Sequence, residues 1–440
     1  MKVSLLAASA TVLLGLLALG ARTEYGHWME RERFGAVPLS DIAPYRHRIF
    51  PHADGLVSMI RDQEERLRTD PKGYLVMASL AELYVQQAKL NGDQELFDRA
   101  QKLAEKSLAE MKVYNDGAKL VRADIAQARH QFKKAIQLAE EVLNDPHARS
   151  AKKQNALSII VTAQLALGDP GEALVQVNRL LLESPSISDY TLKALVLMAL
   201  GRDAEAHSTL RSALALEQVG DPQESTRLRA FWARLFMRHS RYDDANLLLQ
   251  EALRISPGDS FALGLMGDTE LSGGHPVQAE RFYQEAFHSS KQTVHLLGIA
   301  RAKELRGDSS GAREIREQIE KILRRELSNS SYGHRTELAR LLLERGHPED
   351  LSETVTLMRR ELTLRHNPET YFYLVQALHR SGRISEARDL LPLLFKNGGY
   401  TLEYLQIAMI IESALQHRDA AAGYQRQALE LKRFDVQTRS

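Results

Sequence analysis

Glycines, histidines and acids are the residues that could give this 440-residue chain a chemistry. In LMGDTELSGGHPVQAERFYQEAF, residues 265 to 287, Gly267 and Gly274 stand on either side of a short polar stretch. A nucleotide loop would need such glycines joined to a strand, with a phosphate-binding lysine or a helix terminus behind them, and that context is missing. The 15 histidines form no HExxH pair, zinc-spaced cluster or nucleophile arrangement. His27 with Glu24, and His288 with His295, read as surface or packing residues. His130, in ARHQFKKAIQLAEE, reads as an ordinary helical residue. Asp350, in GHPED, is expected just before a helix, where capping accounts for an acid. A Ser, His and acid set assembled from distant positions is the one catalytic arrangement that spacing does not address. The expectation is a non-enzymatic chain with no catalytic residue, no cofactor and no metal site.

Bulk charge narrows the partners. With 58 basic and 57 acidic residues the formal charge is +1, which supplies no general attraction to nucleic acid, so no nucleic-acid partner is expected. The chain has no cysteine, which excludes disulfides, thiolate metal sites and a lipid-modified N-terminal cysteine, and is compatible with an oxidising compartment.

Lys2 is followed by VSLLAASATVLLGLLALGA, an uncharged run over residues 3–21. One basic residue, an apolar core and small residues near its end make a secretory signal with cleavage after Gly20 or Ala21. The same run is just long enough to span a bilayer as an uncleaved anchor. Either version places the body outside the cytoplasmic membrane, in the periplasm, because no later run is apolar enough to return the chain.

Residues 22–68, with Pro38, Pro44 and Pro51, read as an extended lead-in carrying a helix from Leu56 to Arg68. From Tyr74 onward apolar residues recur at helical spacing, and no stretch alternates as a strand would. Gly168, Gly201, Gly274, Gly307, Gly346 and Gly382 each follow one helix and precede the next, with Ala173, Ala206, Ala279, Ala312 and Ala387 five residues further on. Gly168 to Gly201 and Gly274 to Gly307 are both 33 residues, with Ser240 at the equivalent break between them. A hairpin repeated at this period predicts an all-α superhelical solenoid over 69–434, with a tail at 435–440. The expected register has about ten antiparallel hairpins: 70–112, 115–147, 150–185, 187–218, 223–257, 259–289, 291–325, 331–366, 369–396 and 401–432. In the first of these, AELYVQQAKLNGDQELFDRAQKLAEKSL predicts a longer hairpin loop.

These positions resemble the tetratricopeptide repeat family, whose unit carries a small residue in helix A, a turn, then alanine, a bulky residue and alanine in helix B. Gly267, Gly274, Ala279, Tyr283 and Ala286 occupy those places in one unit, and Ala233, Ser240, Ala245, Leu249, Ala252 and Pro257 in the preceding one. The match is good over 150–325 and 369–396. It implies that helix A lines a concave groove, and this sends Arg227, Arg234, Arg238, Arg301 and Arg340 into it, with Asp268 interrupting the series and Phe372 and His379 extending it. Arginine forks suit carboxylates or a peptide C-terminus; the alternative is a solvated helix face. Trp232 and Phe236 are expected in the core. Gly267 and Ala279 should matter for packing and Asp268 should not.

Such scaffolds serve many functions. The leading expectation is an envelope scaffold or adaptor that binds a protein or extended peptide, acidic in character. The alternative is a structural subunit that organises a membrane-associated polysaccharide, secretion or respiratory-maturation complex. A carbohydrate-binding module has only Trp28 and Trp232 to offer, and neither belongs to an aromatic platform.

Overall fold

The computed structural model describes Tyr45, His47 and residues 55–183, 185–218, 222–328 and 334–432. The apolar run 3–21, most of the lead-in, including His27 and Trp28, and the tail 435–440 lie outside the described residues. A lead helix, α1 (Gly55–Thr69), precedes ten antiparallel hairpins. The first five pair α2 (Tyr74–Asn91) with α3 (Gln94–Glu110), α4 (Asp116–Ala128) with α5 (Phe132–Leu143), α6 (Ser150–Leu167) with α7 (Pro170–Leu180), α8 (Ile187–Ala199) with α9 (Asp203–Leu214), and α10 (Pro222–Arg238) with α11 (Tyr242–Ile255). The next three pair α12 (Ser260–Ser272) with α13 (Pro276–Ser290), α14 (Thr293–Leu305) with α15 (Ser309–Ser328), and α16 (Arg335–Arg345) with α17 (Pro348–Leu362). In the ninth, α18 (Pro368–Arg380) faces α19 (Ile384–Asp389) and α20 (Leu391–Leu394), one helix split near Pro392, which has no N–H to donate. The tenth pairs α21 (Leu402–Ala414) with α22 (Arg418–Lys432). There is no strand among the described residues. The chain is an all-α superhelical solenoid.

One residue in the left-handed region closes every hairpin. Glycine supplies it in seven, including Gly168 at φ 96°, and His130, Ser240 and Gln416 supply it in the other three at 56°, 59° and 61°. A side chain there costs about 1 kcal/mol or more. His130 is therefore a turn residue and not a helical one. The first hairpin's loop is no longer than the others, because Gly92 ends α2 in the left-handed region and Asp93 caps α3 through Glu95 N–H. Asp350 lies within the first turn of α17, where it accepts from His347 N–H at 3.3 Å.

Small residues let the helices approach. Ala206, Ala213, Ala245, Ala252, Ala279 and Ala286 are all fully buried. Trp232 and Phe236 lie in the core, and Trp232 Nε1 donates to His207 Nδ1 at 3.0 Å. Tyr283 is held between two helices by glycines: a Cβ on Gly267 would meet its ring at 2.6 Å and one on Gly298 at 2.5 Å.

The superhelix also touches itself. Tyr45 N–H donates to Glu251 Oε1 at 2.6 Å across 206 residues. Asn367 Nδ2 donates to Ala166 O at 3.1 Å across 201, and His239 Nδ1 lies 2.6 Å from Leu431 O across 192. Between these points α13 packs on α2, the rings of His130 and His334 sit 5.3 Å apart, and a Cβ on Gly399 would meet Ala199 O at 2.7 Å. Six 33-residue repeats span 198 residues, so one turn takes about six hairpins and the second turn rests on the first along a seam of hairpin loops.

Candidate partner-binding interior

Helix A of the fifth to tenth hairpins lines the interior of this turn, and two cavities open there. One, of about 660 Å³, is bounded by Arg234, Arg301, Arg340, Glu369, Phe372 and Tyr404. The other, of about 390 Å³, is bounded by Arg227, Phe231, Phe261, Asp268 and His295, with Leu90 from the first turn. Arg301 and Arg340 border both, so the two are compartments of one chamber.

The arginines are not equivalent. Arg301 Nε donates to Glu344 Oε1 at 2.8 Å, Arg340 Nε lies 3.7 Å from the same oxygen, and Arg316 Nε lies 3.8 Å from Oε2. Glu344 thus gathers three guanidinium groups. Arg227 and Arg234 project from α10 into the chamber with no carboxylate within 4.0 Å among the described residues. Arg238, one helical turn beyond Arg234, is spent on structure. Its Nη1 donates to Met198 O at 2.7 Å and its Nε lies 3.3 Å from Asp203, which His239 also contacts at 2.8 Å.

Asp268 accepts from Tyr283 Oη at 2.6 Å. Its side chain is open to the chamber yet walled by protein, and this desolvation raises its pKa despite Tyr283 and the surrounding Arg340, Arg301 and Arg234. Glu369 is raised too, by desolvation and then by Glu337. Burial also raises Tyr373 and Tyr404, which keeps both as neutral hydroxyls on the wall. The Phe372 ring packs against both, 5.5 Å from the Tyr373 ring and 4.8 Å from the Tyr404 ring. His379, half-buried on α18, borders neither cavity.

Several wall residues fall outside the arginine series. Glu344 stands four residues after Arg340, a spacing visible in sequence as an ion pair on one helix face. Glu369 shares the helix-A position of Arg227 in a later hairpin, while Tyr373 and Tyr404 fall at other helix-A positions. Leu90 has no such signal, since it arrives from the first hairpin.

Among the described residues, no group of three or more histidines and acids is placed to hold a metal ion, and no helix is long and apolar enough to cross a membrane. Trp232, fully buried, offers no face to a sugar.

No family model matches the chain, and no curated protein matches it. Among solved structures it is similar to a tetratricopeptide repeat protein from Parabacteroides merdae, at 15% identity over 56% of this chain and 93% of that one, with a TM-score of 0.40. It is also similar to the APC/C hetero-tetramer Cut9-Hcn1, at 13% identity over 85% and 79%, TM-score 0.47. A third similar structure is yeast Tom70, at 16% identity over 83% and 86%, TM-score 0.43. The chain's own helix order and packing define its solenoid.

Proposed function

We propose that the chain is a non-catalytic scaffold or adaptor of the cell envelope that holds an extended segment of a partner protein inside its closed turn. The observation that carries this is the chamber itself: successive helix-A faces bring aromatic walls, neutral tyrosine hydroxyls and the uncompensated Arg227 and Arg234 to one concave space. Repeated contacts along a solenoid axis suit a long, extended ligand, and the two open guanidinium groups suit one with acidic residues. The periplasmic setting rests on the apolar run at residues 3–21.

The test compares wild type with the Arg227→Gln, Arg234→Gln double variant as bait in envelope extracts at rising salt. Wild type should enrich one protein reproducibly, with recovery weakened by salt and by the double substitution. Recovery indifferent to both would contradict the proposal. The apolar run also supports a second function, a structural subunit fixed in a membrane-associated polysaccharide, secretion or respiratory-maturation complex. Intact mass of the native protein discriminates: loss of the first 20 or 21 residues rules out the anchored version.

A further inference from the structure

The smaller compartment is assembled from parts of the chain that meet only across the seam. Leu90, from α2 of the first hairpin, completes an apolar wall with Phe231, Phe261 and Val294 of the fifth, sixth and seventh. The two phenylalanine rings lie 4.8 Å apart at 46°. Leu90 is 43% exposed and Val294 46% exposed, so this wall leaves apolar surface uncovered along a half-open cavity. Arg227 opens onto the same space. His295 borders it while only 5% exposed, and its Nε2 has no hydrogen-bond partner. A buried polar atom left without a partner is unfavourable, so this imidazole is held behind the wall at a cost. Burial holds His295 neutral, with its pKa pushed down to about 4. The compartment, at about 390 Å³, exceeds the ~150 Å³ that accommodates a benzene ring.

We propose that this compartment is an anchor pocket for a phenylalanine-like side chain of the partner segment, with a neighbouring carboxylate on Arg227. The proposal rests on the interior being the partner's site. Arg234 stands two helical turns from Arg227 on α10, a rise of about 10 Å, and a polyproline II segment repeats its face every three residues, about 9 Å. A segment of the form Glu-Pro-Phe-Glu therefore presents a carboxylate to each guanidinium. Since Leu90 belongs to the first hairpin and the other walls to the fifth, sixth and seventh, the pocket is complete only when the turn is closed and the turns are stacked. A segment that touches both Leu90 and the other walls binds the closed form more tightly and stabilises it in proportion.

The probe is a fluorophore-labelled Glu-Pro-Phe-Glu peptide in Gly/Ser flanks, bound to the full chain and read by anisotropy. Replacing the peptide's phenylalanine by serine should weaken binding about tenfold or more. Leu90→Ser, at an exposed position that spares the fold, should weaken it roughly threefold or more. Bound peptide should also slow hydrogen exchange at the His366 amide, which is tied to Leu167 O on the seam. Equal binding of the two peptides, or unchanged affinity in Leu90→Ser, would overturn the pocket. Unchanged exchange at His366 with peptide bound would overturn its coupling to closure. If the peptide fails to bind while Arg227 and Arg234 still govern recovery of the native partner, the pocket falls and the interior site stands; if neither holds, both fall.

Discussion

The main-chain N–H of His366 donates to the carbonyl oxygen of Leu167 at 2.7 Å, joining the entry to α18 with the end of α6. Solenoid repeats ordinarily depend on their immediate neighbours alone. Here hairpins about six places apart also share hydrogen bonds, and the same closeness bounds the chamber.

Glycines on the seam should be less replaceable than equivalent glycines elsewhere. Gly201 and Gly307 both have positive φ, at 70° and 83°. A Cβ at Gly201 would collide with the carbonyl oxygen of Gly398, whereas one at Gly307 meets nothing within 4 Å. Alanine at either position should cost about 1 kcal/mol for the left-handed backbone. Gly201→Ala should lose roughly 1–3 kcal/mol more and enlarge the radius of gyration in small-angle scattering. Equal melting temperatures and equal scattering for the two variants would argue against a closed seam.

Tyr283 links packing to the chamber. Gly267→Ala or Gly298→Ala drives a methyl into its ring and should cost roughly 1–3 kcal/mol. Asp268→Ala is not neutral for stability, as a groove-lining role alone would suggest. It removes the acceptor of the Tyr283 hydroxyl and should cost on the order of 1 kcal/mol, with Asp268→Asn milder. Thermal unfolding ranks the four variants.

Acid should destabilise the chain through two buried imidazoles. Desolvation holds His207 down at about 3 and His295 at about 4. The unfolded chain protonates both near the ordinary value of about 6.5. Their stabilisation is therefore complete above that pH and is lost as pH falls toward the folded values, by roughly 3 kcal/mol for His295. Melting temperature should drop between pH 7 and 4, and Trp232 emission should report it because its indole bonds to His207. His207→Gln should flatten the slope; an unchanged slope would contradict a neutral His207.

Glu344 should act as a brake on acidic ligands. Glu344→Gln frees Arg301 and Arg340 from their shared counter-charge and should tighten an acidic peptide several-fold at low salt. The gain should vanish near 1 M salt, where screening reaches about 3 Å. Replacing Arg234, Arg301 and Arg340 together would instead strip Glu344 of two partners, so Arg227 with Arg234 is the cleaner pair for testing recognition.

The hairpin order was legible because its determinants are local. A glycine at a left-handed turn and an alanine five residues on are readable without knowing what lies opposite. Where His130 replaces glycine, helical spacing runs unbroken through the turn, and sequence alone takes it for helix. The arginine series was legible as a register, since Arg234, Asp268, Arg301 and Arg340 recur at one hairpin position. Its charge balance was not, because Arg301 reaches Glu344 in the next hairpin. The seam was hidden for a stronger reason: Ala166 and Asn367 meet only through the accumulated rotation of six repeats, which no local pattern encodes.

Photo-crosslinking tests the interior site most directly. A photoreactive residue in place of Phe372, inside the chamber, is compared in the native envelope with one in place of Glu317, exposed on α15. Expected is one protein joined reproducibly at position 372 through a contiguous segment containing acidic residues, and absent at 317. The same product from both positions, or no product at 372 in a correctly folded chain, would contradict a partner held within the closed turn.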